Sequence, residues 1–439
     1  MSCNWPLSTL GDFVSLFTGF PFKSKQFSDV EGTKLLRGDN VAQGTLRWEN
    51  VKRWTDENVV DKHKNYLLRE KDVILAMDRP WIEAGLKFSQ IESRDLPCYL
   101  VQRVACLRAN DPDDQDFLKF IIGSRAFTEY VKLVQTGTAV PHISGKQILA
   151  FEFRLPPKDV RLSIGKILSD IDKKVSINTQ TNQTLEQMAQ TIFKSWFVDF
   201  DPVKAKMNGE QPEGMNATTA SLFPEKLVES ELGLIPEGWK VSSLSELIKL
   251  TGGGTPKRSE ETYWNGDIPW FSVKDVPSGS NVFVVDTDEK ITELGLNKSS
   301  TKLLPKGTTI ITARGTVGKL ALVGTDMCMN QSCYGIRGKE VGDFYNYFNL
   351  NEAVSTLQRN THGAVFDTIT TKTFETYSMA FSGVELANKF DAIVAPLLQK
   401  IEANVRQNIE LVKLRDTLLP KLLSGEIELG QAQELAEVE

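Results

Sequence analysis

The sequence predicts an α+β protein, with two similar α/β heads separated by two long helices that pair as an antiparallel coiled coil. Two observations lead to this fold class. An apolar seam with the 3.5-residue period of a coiled coil occurs twice, and the segments in front of the two seams repeat in the same order. The chain is therefore predicted to be a tandem repeat with a pseudo-two-fold relation between its halves.

Residues alternately four and three positions apart form the first seam. Its ten members are Ile164, Leu168, Ile171, Val175, Asn178, Asn182, Leu185, Ala189, Ile192 and Trp196. The second seam lies 226 positions later and consists of Phe390, Val394, Leu397, Ile401, Asn404, Asn408, Leu411, Arg415, Leu418 and Leu422.

The two seams share their polar positions as well as their apolar ones. Asn178 and Asn182 match Asn404 and Asn408. An asparagine in a seam lowers stability and is best satisfied by another asparagine opposite, which fixes the register of the helices. We therefore expect these four residues to set the coiled-coil register. The one mismatch, Arg415 against Ala189, is expected to weaken a layer.

Composition shifts give the expected domain boundaries. Pro156 and Pro157 end the first head, because successive prolines cannot continue a strand ladder. The predicted order is a head at 1–160, a central helix at 161–202, a linker at 203–234, a second head at 235–382, a C-terminal helix at 383–425 and an acidic tail at 426–439.

Each head contains strand and helix patterns in matching order. In the first head, residues 72–77 and 99–107 read as buried strands, and apolar residues recur at helical spacing over 116–134. The second head repeats the order in four segments. Residues 242–247 match 8–13, 308–313 match 72–77, 344–357 match the helix, and 362–370 match 137–144.

Composition sets broad limits on location and partners. The formal charge is −6, but the tail holds five acids and no bases, so the charge of the body is close to zero and decides little. Five cysteines without a C-x-x-C motif indicate reduced, buried thiols. Without an 18-residue apolar run or a signal-like N-terminus, a cytoplasmic protein is expected.

Motifs for catalysis are absent from the sequence. The glycine-rich segments at 252–257 and 315–319 lack the spacing of a nucleotide-phosphate loop. Asp286, Asp288 and Lys290 could imitate the carboxylates and lysine of a metal-dependent nuclease, but the pattern favours a solvated charge run. We therefore expect no catalytic residue, no metal site and no bound cofactor in this chain.

Basic, amide and aromatic side chains are interleaved on glycine-rich loops of both heads. Such side chains can contact phosphates, base edges and sugars, so DNA binding is predicted. The candidates in the first head are Lys23, Lys25, Lys34, Arg37, Asn40, Arg79, Trp81, Lys87, His142 and Lys146. Those in the second head are Lys257, Arg258, Trp264, Trp270, Lys274, Arg314, Lys319, Arg359 and His362.

Four stretches together resemble the specificity subunit of type I restriction-modification systems. They are LRDTLLPKLLSGEI at 414–427, SWFVDFDP at 195–202, ESELGLIPEGW at 229–239 and GTPK at 254–257. The resemblance implies two target recognition domains, each reading one half of a split, asymmetric site on double-stranded DNA. It also implies that the paired helices set the spacer and dock two modification subunits.

The same resemblance assigns the chemistry to partner subunits. It implies that the modification subunits bind S-adenosylmethionine and methylate adenine, and that restriction subunits add ATP-driven and Mg-dependent steps. Two alternatives from other classes remain at this point. One is a self-contained metal-dependent nuclease using Asp286, Asp288 and Lys290, and the other is a coiled-coil scaffold without a role on DNA.

Overall fold

The computed structural model describes residues 5–137, 139–277, 279, 281–360, 368–427 and 429–438. The chain divides into two compact units, residues 1–175 with 410–439 and residues 176–409. Each unit therefore combines one head with a part of both long helices. The candidate His362 lies outside the described residues.

Short strands build both heads. They are β1 (Leu7–Thr9), β2 (Val14–Thr18), β3 (Phe27–Ser28), β4 (Thr33–Leu36), β5 (Arg53–Trp54), β6 (Val73–Ala76), β7 (Trp81–Ile82), β8 (Gly85–Leu86), β9 (Phe88–Gln90), β10 (Cys98–Leu100), β11 (Val104–Ala109), β12 (Glu152–Arg154), β13 (Leu227–Ser230), β14 (Gly233–Pro236), β15 (Lys240–Ser243), β16 (Ile248–Gly252), β17 (Trp264–Phe271), β18 (Phe283–Val284), β19 (Lys290–Ile291), β20 (Thr309–Thr312), β21 (Leu320–Val323), β22 (Cys328–Met329), β23 (Cys333–Gly338) and β24 (Ser378–Phe381).

The helices differ widely in length. They are α1 (Leu10–Phe13), α2 (Gln115–Ile122), α3 (Arg125–Val134), α4 (Gly145–Leu149), α5 (Lys158–Phe197), α6 (Asp201–Met207), α7 (Ala217–Ala220), α8 (Leu244–Leu247), α9 (Glu293–Asn297), α10 (Asp343–Asn360), α11 (Thr371–Thr376), α12 (Val384–Ser424) and α13 (Leu429–Val438). Among the described residues, no helix combines the length and the apolar character needed to cross a membrane.

The two heads share the order of four strands in their main sheet, to which the second head adds β18 beside β21. In the first head, β11 lies between β2 and β6 in the antiparallel order β2-β11-β6-β9, and a second sheet pairs β10 with β4 in parallel. In the second head, β23 lies between β16 and β20, followed by β21, and β22 pairs with β17 in parallel. The predicted repeat of two similar heads is therefore confirmed at the level of strand pairing.

Individual backbone hydrogen bonds also repeat around the loop that follows the central strand. In the first head, the amide of Met77 donates to the carbonyl of Arg103 at 2.9 Å, and the amide of Ile143 donates to the carbonyl of Met77 at 2.9 Å. These two bonds hold three separate loops together at one end of the sheet.

The second head makes the same pair of bonds with different residues. The amide of Ala313 donates to the carbonyl of Ser332 at 2.8 Å, and the amide of Ile369 donates to the carbonyl of Ala313 at 3.0 Å. The scaffold beneath the loops is thus shared, while the side chains that it carries are not.

Two predicted elements of the first head are each divided in the structure. The predicted helix 116–134 consists of α2 and α3, because the hydroxyl of Ser124 accepts from the amide of Phe127 at 3.1 Å and begins a new helix. The predicted strand 99–107 is interrupted by Arg103, whose φ of 65° lies in the left-handed region. Both predictions of a continuous element were wrong.

The two long helices follow the predicted seams closely. Helix α5 has 40 residues and α12 has 41, so each is about 60 Å long. Every predicted seam position is buried or half-buried. In the second unit, Asn178 donates to Asn408 at 2.9 Å and Asn404 donates to Asn182 at 2.8 Å. Residue numbers rise on one helix as they fall on the other, so the helices run antiparallel.

The charged seam residue of the first unit has partners, contrary to the expected weak layer. Arg415 donates to the carboxylate of Asp172 at 2.8 Å and also to Asp416 at 2.7 Å. Lys119 of α2 bonds to the same Asp172 carboxylate. An ion pair shared between α5, α12 and the first head therefore occupies this layer. In the second unit, Ala189 is fully buried in the core.

Each head is also fixed to its own seam helix by a carboxylate. In the first unit, Arg161 of α5 donates two hydrogen bonds to Asp114, at 2.9 and 2.7 Å. In the second unit, Asp391 of α12 accepts from the amides of Phe344 and Tyr345 at 2.8 and 2.9 Å, which caps the first turn of α10. The heads are therefore held by directional bonds as well as by apolar packing.

The segments predicted as linker and tail are folded onto the units. Residues 203–234 include α7 and the first strand of a hairpin, β13 with β14, and Phe223 is buried in the core of the second unit. The acidic tail contains α13, whose Ala432 is buried in the core of the first unit. Their apolar contacts, such as Val203 and Phe223 in the linker and Leu429 and Ala432 in the tail, do not recur at the regular spacing of a long element.

The cysteines of the described part of the chain are free and buried. Burial raises the pKa of Cys98 and of Cys333 to about 12, and that of Cys328 to about 11. Such thiols are protonated at neutral pH and behave as small apolar side chains.

Removing the shared carboxylate of the first unit should be costly. We expect Asp172→Ala to lower the free energy of unfolding by about 2–3 kcal/mol, because Arg415 and Lys119 would both lose their partner in a partly buried layer. Denaturant unfolding measures the change. The matched control is Asp170→Ala, which breaks an exposed pair with Lys166 and should cost about 0.5 kcal/mol or less. Equal losses in the two variants would contradict this role of Asp172.

Candidate nucleic-acid interface

Two loops of the first head bring three cations together. Lys87 is half-buried, and burial is the largest cause that lowers its pKa. The nearby charges of Arg47 and Arg79 lower this pKa further, whereas the charges of Asp39 and Asp78 raise it. The connection between β4 and β5 therefore meets the connection between β6 and β9. Arg79 and Lys87 were predicted from the sequence, whereas Arg47 was missed because its own loop shows no pattern.

A carboxylate organises the base of the same region. Asp78 accepts from Arg103 at 2.7 Å, and its other oxygen lies 2.7 Å from Nδ1 of His142. Burial would raise the pKa of Asp78, but the hydrogen bonds from Arg103 and His142 outweigh it and hold the pKa below its usual range. His142 is thus placed beside the cations, and Arg103 is a further basic residue that sequence reasoning missed.

Other candidates of the first head are engaged within the loops. The ammonium group of Lys34 lies over the ring of Trp48, 4.6 Å from its centroid, and Arg37 pairs with Asp39 at 3.4 Å. Asn40 is buried, accepts from the amide of Arg37 and donates to a backbone carbonyl in the same loop. Asn40 therefore shapes this loop from inside rather than projecting from it.

The remaining candidates of the first head are spread more widely. Lys23 and Lys25 are exposed around a short turn, and Lys146 is exposed on α4. Trp81 is half-buried beneath the ammonium group of Lys132, which lies 4.5 Å from the ring centroid. No described contact joins the three lysines to Lys87 and its neighbours.

In the second head, the predicted arginine and tryptophans form one cluster. Arg258 donates two hydrogen bonds to the carboxylate of Glu289, one of them at 2.9 Å. The centre of its guanidinium lies 4.1 Å from the ring centroid of Trp264 and 5.0 Å from that of Trp270. Trp270 is buried and donates to the carbonyl of Gly254 at 3.0 Å. The hydrogen bond from Arg258 lowers the pKa of Glu289.

The glycines of this segment are held against the head. Glycines in a binding loop can bring the backbone close to a ligand, but these contact the protein itself. In the structure, a Cβ at Gly253 would overlap the carbonyl of Asn330, and one at Gly254 would overlap Ser300 and Thr301. The glycines therefore let the loop pack against the head itself. They position Arg258 and the tryptophans rather than forming a phosphate cradle.

The other predicted cations of the second head lie on several loops and on α10. Lys257 and Lys274 are exposed, and Lys274 lies close enough to Glu289 to contribute to its lowered pKa. Arg314 and Lys319 are exposed on the connection between β20 and β21. The short segment 330–332 contacts the loop that carries Lys257 and the end of β20 before Arg314. Thr255 donates a hydrogen bond to Gln331, and the carbonyl of Ser332 accepts from the amide of Ala313. Arg359 pairs with Glu352 on α10 at 2.8 Å.

The residues considered for a metal-dependent nuclease do not gather around a common point. Lys290 pairs with Asp286 at 3.1 Å, four residues away on the same segment. The backbone amide of Asp288 donates to Asp275 at 2.8 Å. In the part of the chain that the structure describes, no group of three or more histidine, cysteine, aspartate or glutamate side chains is placed to hold a metal ion.

The different environments of two neighbouring cations predict different effects on stability. We expect Arg258→Ala to lower the free energy of unfolding by about 1 kcal/mol, because two cation–π contacts and the pair with Glu289 are lost. The matched control is Lys257→Ala, at the adjacent exposed position, which should change it by about 0.5 kcal/mol or less. Urea unfolding compares the two variants, and a larger loss at Lys257 would refute this assignment.

This chain is similar to known proteins over most of its length. Residues 3–187 and 236–381 match the family described as type I restriction modification DNA specificity domain. The HindI specificity subunit of Haemophilus influenzae is 29% identical over 357 residues, covering 71% of this chain and 77% of that protein. The MjaIX specificity subunit of Methanocaldococcus jannaschii is 25% identical, covering 72% and 70%.

A solved structure supports the same fold. The S subunit of a type I restriction-modification system from M. genitalium superimposes with a TM-score of 0.56 at 15% identity, over 95% of this chain and 96% of that one. The first match to the family covers the first head and α5 as far as residue 187, and the second match covers the second head. The chain belongs to the family of type I restriction-modification DNA specificity subunits.

Proposed function

We propose that this chain is the non-catalytic, sequence-reading subunit of a type I restriction-modification complex. Each head would bind one half of a bipartite, asymmetric site on double-stranded DNA, and the paired helices would set the spacer between the halves. One observation carries this proposal. The two heads share their backbone scaffold down to single hydrogen bonds, yet the loops on that scaffold differ in charge and shape.

The difference is sharpest directly after the repeated hydrogen bonds. Asp78 follows Met77 in the first head, whereas Arg314 follows Ala313 at the equivalent place in the second. The carboxylate of Asp78 is held by Arg103 and His142 and shapes its loop, whereas Arg314 is exposed. Loops that differ in this way at equivalent positions would read different sequences, so the complete site would be asymmetric.

The predicted residues divide into those that would touch DNA and those that would position them. Exposed cations are suited to phosphates, which fix the register of a protein on the duplex without reading sequence. We assign this role to Lys23, Lys25, Lys146, Lys257, Lys274 and Lys319. Buried members, Asn40 and Trp270, would hold loops in place. The remaining predicted residues, including His362, stay candidates for base or phosphate contacts.

The partners follow from the repeat. Each unit contains a portion of α5 paired antiparallel with a portion of α12, so each unit carries a helix pair with the same backbone arrangement. We propose that two modification subunits dock there, and that restriction subunits join the assembled complex. S-adenosylmethionine, Mg and ATP would then bind to those subunits, and this chain would hold none of them.

Neither alternative class has a specific observation in its favour. The carboxylate that a nuclease would use at Asp286 is already paired with Lys290. A scaffold without a role on DNA would not require different cationic loops on two copies of one scaffold. The sequence-reading function accounts for both features.

Exchanging one head tests the assignment of one head to one half-site. We expect that replacing residues 235–382 with the second head of another family member changes one half of the methylated site and leaves the other half and the spacer unchanged. Each head would contact only its own half, which is the physical reason for this result. Mapping methylated adenines in DNA from cells that carry the assembled complex measures the outcome. A change in both halves would contradict the assignment.

The proposed partner surfaces predict a composition. Co-expression with the cognate modification subunit should yield a complex with two copies of that subunit for each copy of this chain, because two similar surfaces are available. Native mass spectrometry measures the ratio. The chain purified alone serves as the control and should neither methylate nor cleave DNA. A stable complex with one modification subunit, even when that subunit is in excess, would argue against two equivalent surfaces.

A further inference from the structure

A small two-stranded ribbon projects from the first head. Strands β7 and β8 pair through Trp81 with Leu86 and Ile82 with Gly85, which leaves Glu83 and Ala84 at the tip. Ile82 is 39% exposed, and both tip residues are exposed. The tip therefore presents one apolar and one acidic side chain at the surface.

The ribbon is firmly held at its base. Leu86 is buried in the core of the first unit, and Trp81 is covered by Lys132 of α3 at 4.5 Å. The amide of Lys87 donates to the carbonyl of Pro80 at 2.7 Å and closes the two strands. Because packing fixes one side and backbone bonds close the base, the tip is presented in a defined position.

Three basic residues lie at the base of the ribbon. Arg79 precedes it, Lys87 follows it, and the loop that carries Arg47 meets the strand after the ribbon, where the amide of Gly44 donates to the carbonyl of Phe88 at 2.8 Å. Asp39 and Asp78 lie near enough to Lys87 to oppose part of this positive charge. Among the described residues, no carboxylate forms an ion pair with any of these three, in contrast to Arg103, which is paired with Asp78. A protein surface that keeps three neighbouring cations unpaired is suited to a polyanion such as the DNA backbone.

The second head lacks an equivalent ribbon in its described residues. Eleven residues connect β6 to β9, whereas seven connect β20 to β21. The shorter connection contains Gly315 and Gly318 with φ of 78° and 81°, and no strand pair forms within it. The ribbon is therefore an insertion into the repeated scaffold at a loop that carries candidate DNA contacts in both heads.

The ribbon has the dimensions and chemistry of a major-groove reader. The major groove of B-DNA is about 12 Å wide and admits a two-stranded ribbon, and it displays a distinct pattern of donors and acceptors for each base pair, which the minor groove does not. A glutamate is repelled by phosphates, but on the floor of the major groove its carboxylate can accept a hydrogen bond from the amino group of cytosine. An isoleucine beside it can contact a thymine methyl group.

We infer that the β7–β8 ribbon enters the major groove of one half-site, where Glu83 accepts a hydrogen bond from a cytosine amino group and Ile82 packs against a neighbouring base. Arg47, Arg79 and Lys87 contact the phosphates on either side of that groove. This inference rests on the proposed function and specifies which element of the first head reads the sequence.

The test uses the full chain assembled with its modification subunits and measures methylation of duplexes in which each base pair of the site is varied. For Glu83→Ala, discrimination at one base pair of one half-site should fall by about 5- to 150-fold, the range for one lost base contact. The other half-site should be unaffected. Ile82→Ala should alter preference at an adjacent pair. The control is Glu70→Ala, an exposed glutamate of the same head outside the ribbon.

Arg79→Ala gives a complementary measurement. It should weaken binding on all sequences alike and reduce the slope of log affinity against log salt by about 1, as expected for one phosphate contact. Thermal unfolding of each variant verifies that the head is intact.

Two results would overturn the inference. One is an unchanged sequence preference in both Glu83→Ala and Ile82→Ala, and the other is a uniform loss on all sequences in Glu83→Ala. Failure of the proposed function itself has a different signature, since the wild-type complex would then show no split site, or head exchange would alter both halves. A wild-type complex with a normal split site therefore isolates the ribbon as the part under test.

Discussion

The structure depends on the antiparallel pairing of two helices whose seams contain asparagine. Asn182 and Asn404 are buried at 0% and 1% exposure and bond to each other at 2.8 Å. One amide nitrogen and one amide oxygen of this pair remain without a further partner. Any slip of the helices would set each asparagine against an apolar side chain and leave more polar atoms unpaired, so these residues favour one register over all others.

A defined register matters because the heads are attached to the same helices by directional bonds. Asp172 joins α5 and α12 to the first head through Arg415 and Lys119, and Asp391 of α12 caps a helix of the second head. Charge-assisted bonds fix distance and angle more closely than apolar contact does. Under the proposed function, such bonds would restrain each head on its own part of the paired helices.

The cations of the heads fall into two groups, those that are paired with a carboxylate and those that are not. Arg258 is neutralised by Glu289 and stacked on two tryptophans, so it stabilises its loop, whereas Arg47, Arg79 and Lys87 are left without carboxylate partners in the described part of the chain. The formal net charge of −6 does not reveal this local distribution of charge. Local uncompensated charge, and not the total, is what a nucleic acid meets at a surface.

The sequence by itself determined the repeat, the seams and the order of elements, because periodicity and spacing are linear properties of a chain. It also placed asparagine opposite asparagine, since the number of residues along two regular helices fixes which layers meet. It failed at Ser124 and at Arg103, where a side-chain cap and a left-handed residue each divided an apparently continuous element.

Only the tertiary structure decided which cations are free and which are occupied. Glu289 lies 31 residues from Arg258, and Asp172 lies 243 residues from Arg415, so no local pattern could pair them. The meeting of Arg47 with Lys87 likewise depends on two loops that the sheet brings together. Pairing between distant side chains is set by the fold as a whole, because it depends on distances in space that sequence separation does not encode.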